Sequence, residues 1–69
     1  MRVQINGESR EVRDQLTLSD LLSELSLTPA RIAIELNGEV VRRTDWVKTF
    51  LAEGDRLEVV HFVGGGSTK

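Results

Sequence analysis

The chain has no cysteine, one histidine and one proline among its 69 residues. The missing cysteine excludes a disulfide scaffold, a thiol nucleophile and every cysteine-based zinc site, so packing alone must hold the fold. A lone histidine leaves no cluster to ligate a metal. An excess of one charge is also missing: nine basic residues face eleven acidic ones, a formal net charge of -2. Apart from the pair Arg42 and Arg43 the basic residues are scattered, which is not a nucleic-acid footprint. No apolar run approaches the ~20 residues that cross a membrane, and the opening Met1-Arg2-Val3-Gln4-Ile5-Asn6 lacks the continuous apolar stretch of a signal peptide. The expected location is cytoplasmic. The length excludes two separately cored units and a self-contained enzyme with a deep cleft.

What is present is alternation punctuated by turns. Val3 and Ile5 fall on one face of an opening strand with Arg2 and Gln4 on the other, and Asn6-Gly7 follows with residues that tolerate the positive φ of a type I′ turn. The return strand, Glu8 to Arg13, is polar apart from Val12 and is therefore expected at an edge. Thr17 as N-cap and Asp20 three residues later make a capping-box pattern ahead of Leu18, Leu21, Leu22 and Leu25. Those leucines form one apolar stripe at helical spacing, with Ser19, Ser23 and Glu24 on the wet face. Pro29 disfavours helical geometry at Thr28 and is expected to close the segment. Ile32, Ile34 and Leu36 then alternate with Ala33 and Glu35, and Asn37-Gly38 leads into Val40 and Val41 as a second hairpin. The shared Ile/Leu-Asn-Gly-Glu at 5–8 and 36–39 reads as one turn chemistry used twice. Trp46, Val47, Phe50 and Leu51, within residues 44–51, suit a helical turn and a strand equally. Glu53-Gly54-Asp55 is a turn, and the apolar run from Leu57 to Val63 suits a strand covered on both faces.

Neither hairpin can cover its own apolar face. Residues 1–63 are therefore expected to form one α+β domain, a mixed sheet of four to five strands with one helix packed across it and the final strand near the centre beside the first. That arrangement, inferred from element order and burial pattern together, is a β-grasp, the ubiquitin-like fold; order alone would also admit other small α+β sheets. Residues 64–69, Gly64-Gly65-Gly66-Ser67-Thr68-Lys69, have nothing apolar to bury and are expected to form a flexible tail.

Few side chains offer chemistry. His61 has no cysteine, second histidine or serine motif to pair with and reads as a structural strand histidine. Glu53, Asp55 and Glu58 read as a solvated turn, and Arg42 and Arg43, as neighbours in a strand, would point to opposite faces. The glycine run stands apart, because an apolar strand passes directly into it. A Gly-Gly carboxyl end is narrow enough to thread into another protein's active site, and its α-carboxylate is ionised at pH 7. It can attack a nucleotide phosphate without a base, provided that the partner binding ATP supplies the positioning and charge stabilisation. Three glycines bury little area, so recognition is expected to draw on Phe62 and Val63 at the strand's exit with exposed apolar residues of the sheet.

Residues 1–66 resemble the ThiS sulfur carrier family of thiamine biosynthesis. The resemblance rests on Val3-Gln4-Ile5-Asn6-Gly7-Glu8, on Thr17-Leu18-Ser19-Asp20-Leu21-Leu22, on Ile34-Glu35-Leu36-Asn37-Gly38-Glu39-Val40-Val41, on Trp46, and most specifically on the ending from Glu53-Gly54-Asp55 through Val63-Gly64-Gly65-Gly66. It implies a β-grasp protein co-substrate, not an enzyme, monomeric when free, with no bound cofactor or metal. An E1-like adenylating enzyme would consume ATP to activate Gly66, with Gly64 and Gly65 as the threading arm. The resulting thiocarboxylate would deliver sulfur to thiazole synthase. Family members end at the glycine, whereas Ser67, Thr68 and Lys69 follow Gly66 here, which implies either that the three are removed before it can react, or that they are foreign to the natural chain, or that the domain has left sulfur transfer for another role. Two other readings share much of this pattern: the small subunit of molybdopterin synthase, whose members are usually longer, and a ubiquitin-like modifier or binding module without sulfur transfer.

Overall fold

Strand β1 (Arg2–Ile5) and strand β2 (Glu8–Glu11) form the first hairpin, followed by helix α1 (Leu18–Glu24), strands β3 (Ile32–Leu36) and β4 (Glu39–Val41), a 3₁₀ helix (Arg43–Lys48) and strand β5 (Arg56–His61). The computed structural model describes residues 1–61. All five strands join one sheet in the order β2-β1-β5-β3-β4. Both hairpins are antiparallel, β5 runs antiparallel to β3, and β5 lies parallel to β1 through Gln4↔Arg56 and Ile5↔Leu57. The sheet is therefore mixed, with the last strand in the middle beside the first, as the pattern predicts.

The hairpin turns form because Asn6 and Asn37 hold φ of 52° and 53° ahead of Gly7 and Gly38, the pair of positive angles a type I′ turn requires. Thr17 Oγ1 accepts from the Asp20 N–H at 3.1 Å while the Asp20 carboxylate accepts from the Thr17 N–H at 3.2 Å. This capping box starts α1, which buries Leu18, Leu21 and Leu22. Against them pack Val3 from β1, Ile32 and Ile34 from β3, Leu57 and Val59 from β5, and Leu16, Trp46 and Leu51 from the connections.

Two expectations need correction, and one open segment is decided. Pro29 does not end α1: the helix stops at Glu24, where Ser26 turns to φ 59° and the Ser26 and Leu27 N–H groups donate back to the Ser23 and Leu22 carbonyls. That is a Schellman closure, which satisfies carbonyls the helix leaves orphaned. The final strand is not covered on both faces, because α1 lies on one side of the sheet only. Leu57 and Val59 are buried while Arg56, Glu58 and Val60 face outward. Residues 44–51 are neither wholly helix nor wholly strand. The 3₁₀ helix buries Trp46, whose indole N–H donates to the Val41 carbonyl at 3.0 Å. The chain then extends, and Phe50 bridges Thr17.

Candidate functional site

Strand β5 ends at His61, three positions before the first glycine of the run in sequence, so what holds β5 fixes the last described part of the chain ahead of it. On one side β3 accompanies it to the end, through Ile32↔His61. On the other, β1 stops at Ile5↔Leu57, and Asn6 takes over. The Asn6 N–H donates to the Leu57 carbonyl at 2.8 Å, its side-chain Oδ1 accepts from the Val59 N–H at 2.8 Å, and its Nδ2 donates to the Val59 carbonyl at 3.3 Å. One side-chain amide thus supplies the acceptor and donor that a further strand residue would have offered. The second turn does the same at the start of β5. Asn37 N–H donates to the Arg56 carbonyl at 2.7 Å, its Oδ1 accepts from the Arg56 N–H at 2.9 Å, and its Nδ2 donates to Asp55 Oδ1 at 3.0 Å. Reading the Asn-Gly repeat as turn chemistry alone misses this. The signal available in the sequence was that an asparagine occupies the same turn position twice.

The outward face of the sheet is mixed in character. Glu58 sits directly across from Glu35, and Val60 across from Ala33. Val40, opposite Glu35 on the other side, is 68% exposed and Val60 is 50% exposed. Val60 lies on the central strand toward its tail end, and Val40 on the edge strand level with Glu58. On the helix side of β5, a groove of about 410 Å³ is lined by Ile5, Asn6, Arg10, Leu25, Val59 and His61.

Of the remaining candidate side chains, Glu53, Asp55 and Arg43 have structural work, while Glu58 and His61 are exposed. Asp55 Oδ2 accepts from the Ala52 N–H at 2.8 Å and Glu53 Oε1 from the Arg2 N–H at 2.9 Å, so this turn is built by its acids. Arg42 and Arg43 are not strand neighbours: β4 ends at Val41, Arg42 stands at the N-cap position of the 3₁₀ helix without a side-chain cap bond, and Arg43 begins it. The Arg43 guanidinium donates to the Pro29 and Ile32 carbonyls at 2.6 and 3.2 Å and lies 4.7 Å over the Trp46 ring. It fastens the connections instead of clamping an anion. Among the described residues no three metal-ligating side chains come together, and no helix is long and apolar enough to cross a membrane. Phe62, Val63, Gly64, Gly65 and Gly66, with the expected flexibility of residues 64–69, lie outside the described residues.

Comparison with known proteins adds four findings. Residues 3–66 match the family model described as the ThiS family. The Bacillus subtilis sulfur carrier protein ThiS is 34% identical over 65 residues, covering 93% of this chain and 98% of that protein. A thiazole synthase of Paramagnetospirillum magneticum is 39% identical over 67 residues, covering 97% of this chain but 21% of the synthase. The chain thus spans about a fifth of the length of the thiazole synthases it matches. In three dimensions it is similar to the crystal structure of the thiamine biosynthesis protein ThiS from Geobacter metallireducens, with a TM-score of 0.84 and 36% identity, covering 96% of this chain and 100% of that one.

Proposed function

Because the chain belongs to the ThiS family of β-grasp sulfur carriers of thiamine biosynthesis, we propose that it carries sulfur as a thiocarboxylate on Gly66. The observation that carries the reading is a family match that runs through the fold and on to Gly66 itself. With Gly66 as the terminal residue, its α-carboxylate oxygen attacks the α-phosphorus of ATP held by an E1-like adenylating enzyme. The bond to the β-phosphate breaks, pyrophosphate leaves, and an acyl adenylate remains. A sulfur nucleophile at the sulfide level then attacks the carbonyl carbon and expels AMP, which leaves the thiocarboxylate. ATP is consumed by the partner; the carrier acts as co-substrate and not as enzyme.

Thiazole synthase is the recipient this reading assigns. Support comes from the two thiazole synthases that contain a segment similar to nearly the whole of this chain. The same matches favour thiazole formation over molybdopterin synthesis or protein modification. Gly64 and Gly65 form the arm that threads into the partner's site, since a channel closed around the reacting carboxylate leaves little room for side chains. Phe62 and Val63, with the exposed Val60 and Val40 of the sheet, supply apolar area that the glycines lack.

Intact mass spectrometry tests the reading. A chain ending at Gly66, incubated with an E1-like enzyme, ATP and a sulfur donor, is expected to gain about 16 mass units as sulfur replaces one oxygen. The chain with Ser67, Thr68 and Lys69 intact is expected to gain nothing, because Gly66 is then held in a peptide bond. A gain of a whole protein mass, or an equal gain by both chains, would overturn it.

A further inference from the structure

We propose that Asn6 is a positioning residue for the reaction at the tail, fixing the point from which the glycine arm leaves the fold. The inference rests on the reading of Gly66 as the reacting residue. Strand β1 accompanies β5 only as far as Leu57, so without a further partner the N–H and C=O of Val59 would face an empty strand position. The Asn6 side chain fills it with bonds of 2.8 and 3.3 Å across 53 positions of sequence. The end of β5 is thereby held between a strand on one side and a side chain on the other.

The reach of the arm gives this clamp its consequence. Residues 62–66 span at most about 17–18 Å when extended, and each residue that frays from β5 adds about 3.3–3.6 Å of slack. A carboxylate delivered from a fixed exit samples fewer positions than one delivered from a frayed end, so more conformational freedom must be lost to thread the frayed arm. That loss falls on reaching the threaded complex, not on the chemistry within it. Asn37 provides the matched control. It has the same φ, the same following glycine and the same kind of side-chain bond to β5, but it acts at Arg56, at the far end of the strand.

The experiment compares Asn6→Gly with Asn37→Gly, each in a chain ending at Gly66. Glycine keeps the positive φ that both turns need and removes the side-chain bonds, and the freedom it adds to the unfolded chain is the same at both sites. Thermal melts establish the folded fraction, amide hydrogen exchange reads the Val59 N–H, and ATP–pyrophosphate exchange with an E1-like enzyme reads adenylation. At equal folded concentration, Asn6→Gly is expected to speed exchange at Val59 and to lower kcat/KM about tenfold, mostly through KM. Asn37→Gly is expected to leave both within about twofold of the parent. If Asn6→Gly adenylates as well as the parent, or if both variants fall alike, the positioning role is overturned. A parent chain that shows no ATP–pyrophosphate exchange at all would instead overturn the functional reading, and this inference with it.

Discussion

Asn6, Ser26 and Asn37 all hold φ between 52° and 59°, a left-handed conformation that strains most side chains. The two asparagines gain from it, because the turn aims each side chain at β5. Ser26 has no such return. It stands where the chain leaves α1, and what the closure requires of it is its backbone N–H, which donates to Ser23 at 3.1 Å. Glycine relieves the strain but adds freedom to the unfolded chain. Ser26→Gly should therefore stabilise the fold by a net of about 0.5–1 kcal/mol and raise the melting midpoint by about 3–6 °C. An unshifted or lowered midpoint in thermal denaturation would show that the Ser26 side chain contributes more than the backbone strain costs.

Helix α1 is seven residues long, too short to persist without outside support. Its support comes from three directions: the capping box, the leucines buried against the sheet, and the pairing of the flanking chain, where the Leu18 N–H donates to the Thr49 carbonyl and the Leu51 N–H to the Leu16 carbonyl. The cap is the part that responds to acid. The hydrogen bond from the Thr17 backbone, then that of the Thr17 side chain, holds the Asp20 carboxyl below its ordinary value of 3.8, with Arg13 adding a weaker attraction. A carboxyl lowered in the folded state stabilises fully above its unfolded value, and that contribution fades as pH falls through the folded one. Denaturant melts of the parent should lose stability as pH drops below about 4, whereas Asp20→Asn should follow a flatter curve over the same window. Parallel curves would remove Asp20 from the cap's energetics.

At the scale of the whole molecule, one leucine stripe closes the core. Leu21 is fully buried beneath the sheet, and replacing it by alanine costs about 2–5 kcal/mol through lost burial and a residual cavity. A core of this size supplies about 3–5 kcal/mol in all. Leu21→Ala should therefore leave much of the population unfolded at 25 °C by circular dichroism. A midpoint within a few degrees of the parent's would mean that α1 is not what covers the sheet. Among the described residues nothing covers the opposite face, so Val60 and Val40 are exposed there without any change in the core.

Sequence alone determined what depends on near neighbours. Alternation, the two Asn-Gly turns, the Thr17–Asp20 cap and the leucine stripe each act within a few residues, and with the burial pattern they point to a helix across a mixed sheet with β5 beside β1. The glycine run stood out for the same reason, as a narrow segment after an apolar strand, whereas Gly66 as the reacting residue rests on the family resemblance and not on any local pattern. Tertiary structure decided what depends on distant partners. Whether β5 is buried on one face or two turns on where α1 lies, and composition cannot distinguish the two because Val60 is as apolar exposed as buried. The connector became a 3₁₀ helix and then a bridge because Trp46 found the core and Phe50 found Thr17. The Asn6 clamp joins positions 53 residues apart, and no local pattern records where a side-chain amide will find a strand left without its neighbour.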